Sequence, residues 1–460
     1  MPSRPSAWLR EVGPIEPLPA LEGSHHAEIC IVGGGFTGLW TALRIKQLEP
    51  DREVVLVEAD VCGSGASGRN GGFVLTFWHH FASLQRICGD AEALRLARAS
   101  TDVIGEIGGF CEEHGIHAHY RPEGWMWTAT NATQLGAWDS TLAALEHLGE
   151  HPFERLEPEQ VVARTGSPAH LAGVFEPVSA TVQPARLARG LVRVARERGV
   201  TVHEGSPVVA LGRDTPLAVR TRAGTITADR VVVTMGSWTA QMRELRNAFV
   251  VVASDVALSN PIAEERRSEG WPGGMAISDS RLMVHYYRAT ADGRIAFGKG
   301  GGRLAFGARI GDSLQGRSPV ESDLVTRMLS IWPAVASAGL DCSWAGPVDR
   351  TVDGLPFFHA VGRPDLIAGA GFSGNGVGPS VLAGKVLASM ALGREDEWSQ
   401  CGLARRPPSG MPPEPLRFLG GTIVRGAVGR KEGAQDAGRA PSKLDLALAR
   451  LAPSGLVPIE

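Results

Sequence analysis

The feature that most constrains the fold is a glycine-rich turn near the start of the chain, residues 33–38, with the sequence GGGFTG. A short apolar run, residues 27–32 (AEICIV), precedes it and predicts a buried strand, and the residues that follow have helical spacing. A second apolar run, residues 53–58 (EVVLVE), ends in Glu58, 20 residues after Gly38. This strand–turn–helix–strand pattern is typical of a dinucleotide-binding unit.

Three glycines of the turn have separate physical roles in a dinucleotide site. Gly33 permits the tight turn, Gly35 lets the backbone approach a pyrophosphate, and Gly38 lets the helix pack closely against the strand. The start of the helix presents N–H groups and a partial positive charge that favour a diphosphate. Glu58 is placed to accept hydrogen bonds from the ribose hydroxyls of adenosine. The neighbouring residues predicted to contact the dinucleotide are Phe36, Thr37 and Ala59.

Three further segments favour FAD as the dinucleotide. Residues 62–72 (CGSGASGRNGG) follow the second strand and form a loop that can wrap a long cofactor with backbone donors. Residues 231–238 (VVVTMGSW) read as an apolar strand that runs into a small residue and a glycine. Residues 369–378 (GAGFSGNGVG) lie at a strand-to-helix turn, with Pro379 at the first helical position, where proline is favoured. A helix N-terminus there would stabilise negative charge on a reduced flavin.

Composition argues against several other classes of protein. The net charge of -3 gives no electrostatic basis for binding nucleic acid or an anionic membrane. The six cysteines lie far apart without a CxxC pair, which disfavours a disulfide framework or a zinc site. Neither a signal-peptide core nor a run approaching 18 apolar residues is visible. We therefore expect a cytoplasmic protein without a membrane span and without a bound metal.

The order of predicted elements indicates an α/β fold with two domains. A Rossmann-like FAD-binding domain is assembled from discontinuous segments, and an inserted α+β domain with a mixed sheet binds the substrate. The segments predicted for the FAD-binding domain are residues 1–83 (with a Pro-rich lead-in), 171–245 and 341–395. Those predicted for the substrate domain are residues 84–170 and 246–340. Residues 396–460 are expected to be a C-terminal extension with two moderately basic helical segments.

Taken together, these segments resemble the FAD-dependent D-amino-acid oxidase, glycine oxidase and sarcosine oxidase family. Within it the chain is most similar to the γ-glutamylputrescine oxidoreductase branch, whose members carry a GASGRNGG stretch where this chain has residues 65–72. The likeness covers residues 27–395. It implies an enzyme that oxidises the C–N bond of a small amine or amino-acid derivative. In the family a hydride passes to flavin N5, and the resulting imine hydrolyses.

The resemblance also implies further contacts with FAD. Val208 would meet the adenine through its backbone, and residues 374–377 would reach the pyrimidine side of the flavin. The residues implied along the pyrophosphate and flavin are Gly65, Ala66, Ser67, Arg69, Asn70, Gly71, Gly72 and Phe73. The remaining residues implied around the cofactor are Gly236, Trp238, Gly346, Gly371, Phe372, Ser373, Gly374, Asn375, Gly376 and Val377.

The attachment of the flavin is predicted from two departures from the family pattern. Members with covalent FAD carry a Cys where this chain has Gly346, or a His where it has Arg69. Neither tether is present, so we expect non-covalent FAD. Cys342 lies four positions from the first of these sites and is expected to be a structural thiol.

A third departure concerns the substrate. Glycine oxidase-like enzymes use an Arg just before the TxDG segment to clamp the substrate carboxylate, and the corresponding residue here is Val348. Without that Arg, the site lacks a guanidinium that could hold the substrate carboxylate through two hydrogen bonds. This favours an amine or polyamine-like substrate over a simple α-amino acid. A shift of the alignment by one or two residues would instead bring Arg350 to the clamp position.

The electron acceptor is left open between oxygen and an electron carrier. Sarcosine oxidase-like members place a Lys near the flavin for oxygen activation. The matching position here is Ala296, with Lys299 three residues further on.

Candidate residues on the substrate side come from aromatic and His positions. Tyr286 and Tyr287 lie on a predicted strand, so one of them faces its inner surface, where an aromatic face attracts an amine cation. His79 follows the glycine-rich loop and is predicted to lie by the flavin. Ordinary packing is the alternative role for all three side chains.

Two alternative functions remain on sequence grounds. One is an α-amino-acid oxidase of the glycine or D-amino-acid type. The other is a non-catalytic flavoprotein subunit or sensor whose C-terminal extension docks a partner. Aromatic hydroxylase-type monooxygenases usually carry Gly-Asp where this chain has Gly374 and Asn375, and disulfide reductases need a Cys pair. The amine and the oligomeric state are not specified by the sequence.

Overall fold

The structure is a computed structural model and describes residues 6–264, 273–408 and 410–453. Within those ranges the helices are α1 (Ala7–Val12), α2 (Phe36–Leu48), α3 (Phe81–Glu113), α4 (Asp139–His147), α5 (Pro158–Thr165), α6 (Pro184–Glu197), α7 (Asp312–Gln315), α8 (Glu321–Ile331), α9 (Pro379–Ala391), α10 (Gly402–Arg405), α11 (Leu416–Asp436) and α12 (Lys443–Ala449).

The strands divide between two large sheets and one small ribbon. Those of the first sheet are β1 (Gly23–Val32), β2 (Val54–Val57), β8 (Thr201–His203), β9 (Ala210–Gly212), β10 (Leu217–Arg220), β11 (Gly224–Val233), β17 (Phe357–Ala360) and β18 (Leu366–Ala370). Those of the second are β4 (Trp125–Ala129), β5 (Glu154–Leu156), β6 (Ala172–Glu176), β12 (Val250–Ser259), β13 (Ala276–Asp279), β14 (His285–Ala289), β15 (Ile295–Lys299) and β16 (Leu340–Arg350). The ribbon consists of β3 (Phe73–Val74) and β7 (Ala180–Thr181).

The first sheet contains the predicted dinucleotide-binding unit. Its strand order is β17-β18-β11-β1-β2-β8, and the strands from β18 to β8 are parallel. Side chains of β1 alternate between two buried apolar clusters, with Ile29 and Ile31 on the face covered by α2 and Cys30 and Val32 on the other. A strand covered on both faces needs an uninterrupted apolar run, which is why residues 27–32 lack polar alternation.

The second sheet has the order β16-β12-β15-β14-β13-β4-β6-β5 and is mixed, because β13 and β4 are parallel while the other neighbours are antiparallel. Trp125 and Trp127 on β4 are fully buried and stack with centroids 5.8 Å apart, so both serve as core residues. The predicted α/β class with a parallel FAD-type sheet and a mixed second sheet is confirmed.

Two strands do not follow the predicted segment boundaries. β6 pairs with β4 and β16 pairs with β12, so both belong to the second sheet, although residues 171–245 and 341–395 were predicted to form the first. The long helix α3, which bends at Gly89, packs against α9. A strand's own sequence does not specify its distant partner, so these assignments depend on pairing across the chain.

A buried carboxylate links the second sheet to the loop that follows β3 of the ribbon. Glu176 ends β6 and is fully buried, and it accepts hydrogen bonds from the hydroxyls of Thr76 and Ser179. Thr76 lies in the loop after β3, and its carbonyl accepts a hydrogen bond from Asn375 Nδ2. Burial raises the pKa of Glu176 to about 7, so both its protonated and its ionised forms are populated near neutral pH.

Other features concern the whole chain. Of the helices in the described ranges, none has both the length and the apolar character required to cross a membrane. All six cysteines are free thiols. Cys342 packs beside the guanidinium of Arg10, whose Nη2 lies 2.8 Å from its sulfur.

We predict that Gly38→Ala severely destabilises the protein, because a Cβ at residue 38 would lie 2.0 Å from the carbonyl oxygen of Gly33. Backbone cannot yield as a flexible side chain does, so we expect a loss of about 3 kcal/mol or more of unfolding free energy. The matched control is Gly105→Ala in α3, where nothing lies within 4 Å of the added Cβ. The control should gain about 0.5 to 1 kcal/mol. Thermal unfolding measures both, and equal melting temperatures would contradict the prediction.

Candidate active site

A cavity of about 860 Å³ opens where the carboxyl ends of the parallel strands meet the second sheet. Its walls come from the turn after β1, the end of β2, the loop before β3, the end of β11, and strands β12, β14 and β16. The carboxyl edge of a parallel sheet is the usual place for a ligand in such folds. Every residue predicted to hold the cofactor lines this cavity except Gly38, Gly72 and Gly371.

Those three glycines act through packing. A Cβ on Gly72 would lie 2.1 Å from the carbonyl oxygen of Val182, and one on Gly371 would lie 2.6 Å from Thr351 Cγ2. Gly38 does not reach the cavity because it lies against the backbone of Gly33. Gly38 thus has the packing role expected for it, whereas Gly72 and Gly371, which were predicted to contact the cofactor, hold the walls of the cavity without lining it.

Glu58 lies at one end of the cavity and is held by the backbone. The N–H of Gly34 donates to its Oε2 at 2.7 Å, and the N–H of Asp60 donates to its Oε1 at 3.0 Å. Burial raises the pKa of this carboxyl from its usual value. The N–H of Ser206 donates to the Glu58 carbonyl at 2.8 Å, which places residues 206–208 beside the same end of the cavity. This explains why Val208, distant in sequence, lies with Glu58.

The glycine-rich turn forms the floor of the cavity. Gly33 has a φ of +113°, and a Cβ there would lie 2.6 Å from the carbonyl oxygen of Thr234, so only glycine fits. The hydroxyl of Ser67 accepts a hydrogen bond from the N–H of Phe36 at 2.9 Å. The loop before β3 is thereby fixed against the first turn of α2.

Arg69 ties that loop to the second sheet. Its Nε donates to the Ser64 carbonyl at 3.0 Å and its Nη1 to the Gln315 carbonyl at 2.7 Å, while Trp344 Nε1 donates to the carbonyl of Arg69 at 2.8 Å. Burial lowers the pKa of its guanidinium to about 10, so it remains charged at neutral pH. A Cβ on Gly346 would lie 3.2 Å from Arg69 Cβ, so these two positions are spatial neighbours.

Tyr286 lies in the wall opposite this loop. Its ring meets Phe73 edge to face at 5.7 Å, and a Cβ on Gly71 would lie 2.9 Å from its Cε2. Its hydroxyl is 2.8 Å from the hydroxyl of Ser254 on β12. Burial raises the pKa of Tyr286 to about 12, so the phenol stays neutral at physiological pH.

Tyr287 does not lie at the site, and its prediction as a substrate-side residue is wrong. It points to the other face of β14, is fully buried, and stacks on Phe297 with centroids 5.3 Å apart. Trp332 meets its ring edge-on at 4.9 Å. Successive side chains of a strand alternate in direction, so only one of the adjacent tyrosines can face the cavity.

His79 and Asn375 present buried polar atoms to the cavity. Within the described residues neither ring nitrogen of His79 has a hydrogen-bond partner, and the same holds for Asn375 Oδ1. Burial, together with His80, lowers the pKa of His79 well below its usual value, so the ring is neutral. Asn375 is oriented by donation from Nδ2 to the Thr76 carbonyl at 3.0 Å. A buried polar atom without a hydrogen bond destabilises the folded protein unless a ligand supplies the missing partner.

Asp349 is a cavity residue whose role the sequence did not reveal. Its Oδ2 accepts from the N–H of Gly371 at 2.6 Å, and its carbonyl accepts from the N–H of Ser373 at 3.1 Å. These bonds hold the late glycine-rich loop, where Ser373 adopts a positive φ of +56°. Burial raises the pKa of Asp349 to about 6. Only its adjacency to Arg350 before the TxDG segment hinted at a role.

Arg350 also lines the cavity, whereas the predicted clamp position, Val348, offers no charge. Burial lowers the pKa of Arg350 to about 10, and its Nη2 lies 3.5 Å from the carbonyl oxygen of Pro453. Lys299 does not line the cavity: its Nζ donates to Asp323 Oδ2 at 2.7 Å, on the outer side of the sheet. Ala296, the matching position of the oxygen-activating Lys, is likewise outside the cavity and buried.

Comparison with known proteins agrees with this geometry. Residues 28–390 match the family model DAO, described as FAD dependent oxidoreductase. The chain is 28% identical to the probable oxidoreductase OrdL of Rhizobium meliloti over 92% of this chain and 94% of that protein. It is 29% identical to the gamma-glutamylputrescine oxidoreductase of Escherichia coli over 82% of this chain and 86% of that protein.

A solved structure shows the same fold. Glycine oxidase from Geobacillus kaustophilus superposes with a TM-score of 0.68 at 20% identity, covering 83% of this chain and 100% of that one. The resemblance inferred from the motifs is confirmed. With a dinucleotide fingerprint, a cavity at the carboxyl edge of the parallel sheet and a family match over residues 28–390, the chain belongs to the DAO family of FAD-dependent oxidoreductases.

Proposed function

We propose that this protein binds FAD in the cavity and oxidises the C–N bond of a small amine or amino-acid derivative. The observation that carries the proposal is that one cavity joins Glu58 to a pocket containing Tyr286 and His79. The first sheet with its helices then serves as the FAD-binding domain, and the second sheet serves as the substrate domain. We place the protein in the cytoplasm, on the composition alone.

The residues present fit FAD. Glu58 has a carboxylate for the ribose hydroxyls, and residues 206–208 form a wall for the adenine. Gly33 and Gly35 line the cavity at the start of α2, where a helix N-terminus favours a diphosphate. The orphaned Oδ1 of Asn375 is an acceptor suited to the N–H of a flavin pyrimidine ring. When bound, FAD supplies the acceptor for a hydride from the carbon next to the substrate nitrogen.

The chain's own side chains orient the amine and exclude water. Tyr286 is fixed by Ser254 and presents a neutral ring to the pocket. His79 carries no charge at neutral pH and has free acceptor capacity, so it can take a hydrogen bond from an amine N–H without opposing a cation. Proximity and orientation then lower the barrier, and a strong acid–base pair is not required for a neutral amine.

Non-covalent attachment is the first testable part of the proposal. Gly346 and Arg69 cannot form the tethers used by covalent members. His79 and His80 are the only histidines among the described cavity-lining residues, and neither is at a tether position. We predict that acid precipitation releases all of the flavin into the supernatant. Flavin absorbance that stays with the pellet would contradict this, and His79→Ala and His80→Ala variants would then locate the bond.

The second test asks whether amines reduce the bound flavin. Purified protein is titrated anaerobically with a panel of diamines, N-acylated diamines, secondary amines and amino acids, while the flavin absorbance near its visible maximum is followed. We expect bleaching by at least one amine without an α-carboxylate. The same panel is then run with the Gly71→Ala variant. Its added Cβ would displace the Tyr286 ring, so flavin reduction should be slower than in the unaltered protein.

The rate at which the reduced flavin is reoxidised after air is admitted identifies the class of electron acceptor. Fast reoxidation indicates an oxidase, and slow reoxidation indicates transfer to an electron carrier. A yellow protein that no member of the panel bleaches would overturn the enzyme proposal and favour the non-catalytic flavoprotein.

A second candidate, an α-amino-acid oxidase, is favoured by one observation. Arg350 reaches the cavity although Val348 replaces the expected clamp. If the substrate carries a carboxylate, a charge-assisted bond to this guanidinium would anchor it.

We predict that Arg350→Gln separates the two candidates. For a carboxylate-bearing substrate the KM should rise about 10- to 100-fold, the loss expected for a hydrogen bond to a charged group. For an amine without a carboxylate the KM should change little. Arg309→Gln, at an exposed position, is the matched control for the charge removed. Steady-state kinetics on both substrate classes measures the outcome, and an equal effect on both would exclude Arg350 as the anchor.

A further inference from the structure

The C-terminal extension packs on a segment that lines the cavity. Met283 lies between β13 and β14 and forms a buried apolar cluster with Val428 of α11 and Ala449 of α12. Leu282 is packed against the same cluster. Leu282 and Val284 line the cavity on either side of Met283, so the extension supports the back of this wall.

Polar bonds fix α11 to the same segment and to the loop after β4. The N–H of Met283 donates to the buried carboxyl of Glu432 at 3.0 Å, and Asn131 Nδ2 donates to Asp436 Oδ1 at 2.8 Å. Arg281 pairs with both Asp436 and the buried Asp279. The coulombic attraction of Asp279 and Asp436 raises the pKa of the Arg281 guanidinium, so the bridge is charged throughout the physiological range.

A second set of contacts reaches the loop after β15. Arg425 Nε donates to the carbonyl of Gly301 at 3.0 Å, and Gly301 lines the cavity. Gly421 lets α11 approach closely, because a Cβ there would lie 2.3 Å from Leu304 Cδ2. Beyond α12, the carbonyl of Pro453 lies 3.5 Å from Nη2 of the cavity residue Arg350.

We propose that α11 and α12 brace the outer wall of the substrate pocket from behind, and that this support limits the length of the amine that the pocket accepts. The wall they support is apolar at Leu282 and Val284 and adjoins Tyr286, which suits the methylene chain of an aliphatic amine. The extension lies outside the family match over residues 28–390. The identity of the ligand in this inference rests on the proposed function. The support of the wall by α11 and α12 rests only on the contacts of the described residues.

Two variants of the FAD-loaded protein test the wall. One ends after residue 410, and the other is full-length Arg425→Ala/Asp436→Ala, which removes the bonds to Gly301 and Arg281. The control is Arg439→Ala, at an exposed position beyond α11. Flavin absorbance reports that each protein is folded and loaded. If the truncated chain does not retain flavin, the double substitution decides the result.

Two readouts are measured on each protein. Iodide quenching of flavin fluorescence reports access to the cavity, and we expect its quenching constant to rise severalfold in both variants but not in the control. The ratio of kcat/KM for a long aliphatic amine to that for its short homologue should rise about tenfold or more, the discrimination expected of a pocket that excludes methylenes.

If the flavin-loaded variants show the same quenching constant and the same ratio of kcat/KM for long and short amines as the unaltered protein, the proposed role of α11 and α12 is wrong. A protein that oxidises no amine, yet shows increased quenching in the variants, would overturn the proposed function and leave the wall supported. Increased quenching with an unchanged ratio would show that α11 and α12 shield the flavin without setting substrate length, which contradicts the proposal.

Discussion

The structure depends on the close approach of α2 to the carboxyl end of β1. Two positions without a side chain make it possible: Gly38 lies against the carbonyl of Gly33, and Gly33 lies against that of Thr234. Helix α2, β1 and β11 therefore meet with backbone against backbone. The first turn of α2 becomes the floor of the cavity, and the loops after β2 and β11 are forced to form its sides.

The second sheet contributes a wall only because buried polar groups attach it to this floor. Arg69 links the loop before β3 to Gln315 and Trp344, and Glu176 receives the hydroxyl of Thr76. Burial raises the pKa of Glu176 to about 7, which limits the cost of removing this carboxyl from water, whereas Arg69 stays charged and donates to backbone carbonyls. The same effect leaves His79 uncharged. The pocket thus combines fixed geometry with a neutral Tyr286 and a neutral His79, which suits a neutral amine.

Local signals made the cofactor end predictable, whereas the substrate end depends on pairing between distant strands. The glycine spacing and Glu58 lie within one strand–turn–helix–strand unit, so their roles follow from short-range geometry. The tyrosine pair shows the limit: alternation predicted that one of them faces inward, but register with β15, which sets Tyr286 opposite Gly298 and Tyr287 opposite Phe297, selects Tyr286. Asp349 had no local signal beyond its adjacency to Arg350, and the docking of α11 had none, because each acts through residues distant in the chain.

The proximity of Arg69 and Gly346 has an evolutionary consequence. The loop before β3 and strand β16 come from opposite ends of the chain, yet their Cβ positions would almost touch. These are the two positions at which the resemblance implies a tether to FAD in covalent members. Because the two positions meet at one region of the cavity wall, a tether at either would approach the cofactor from the same side, and replacing one tether by the other would not require a new approach to it.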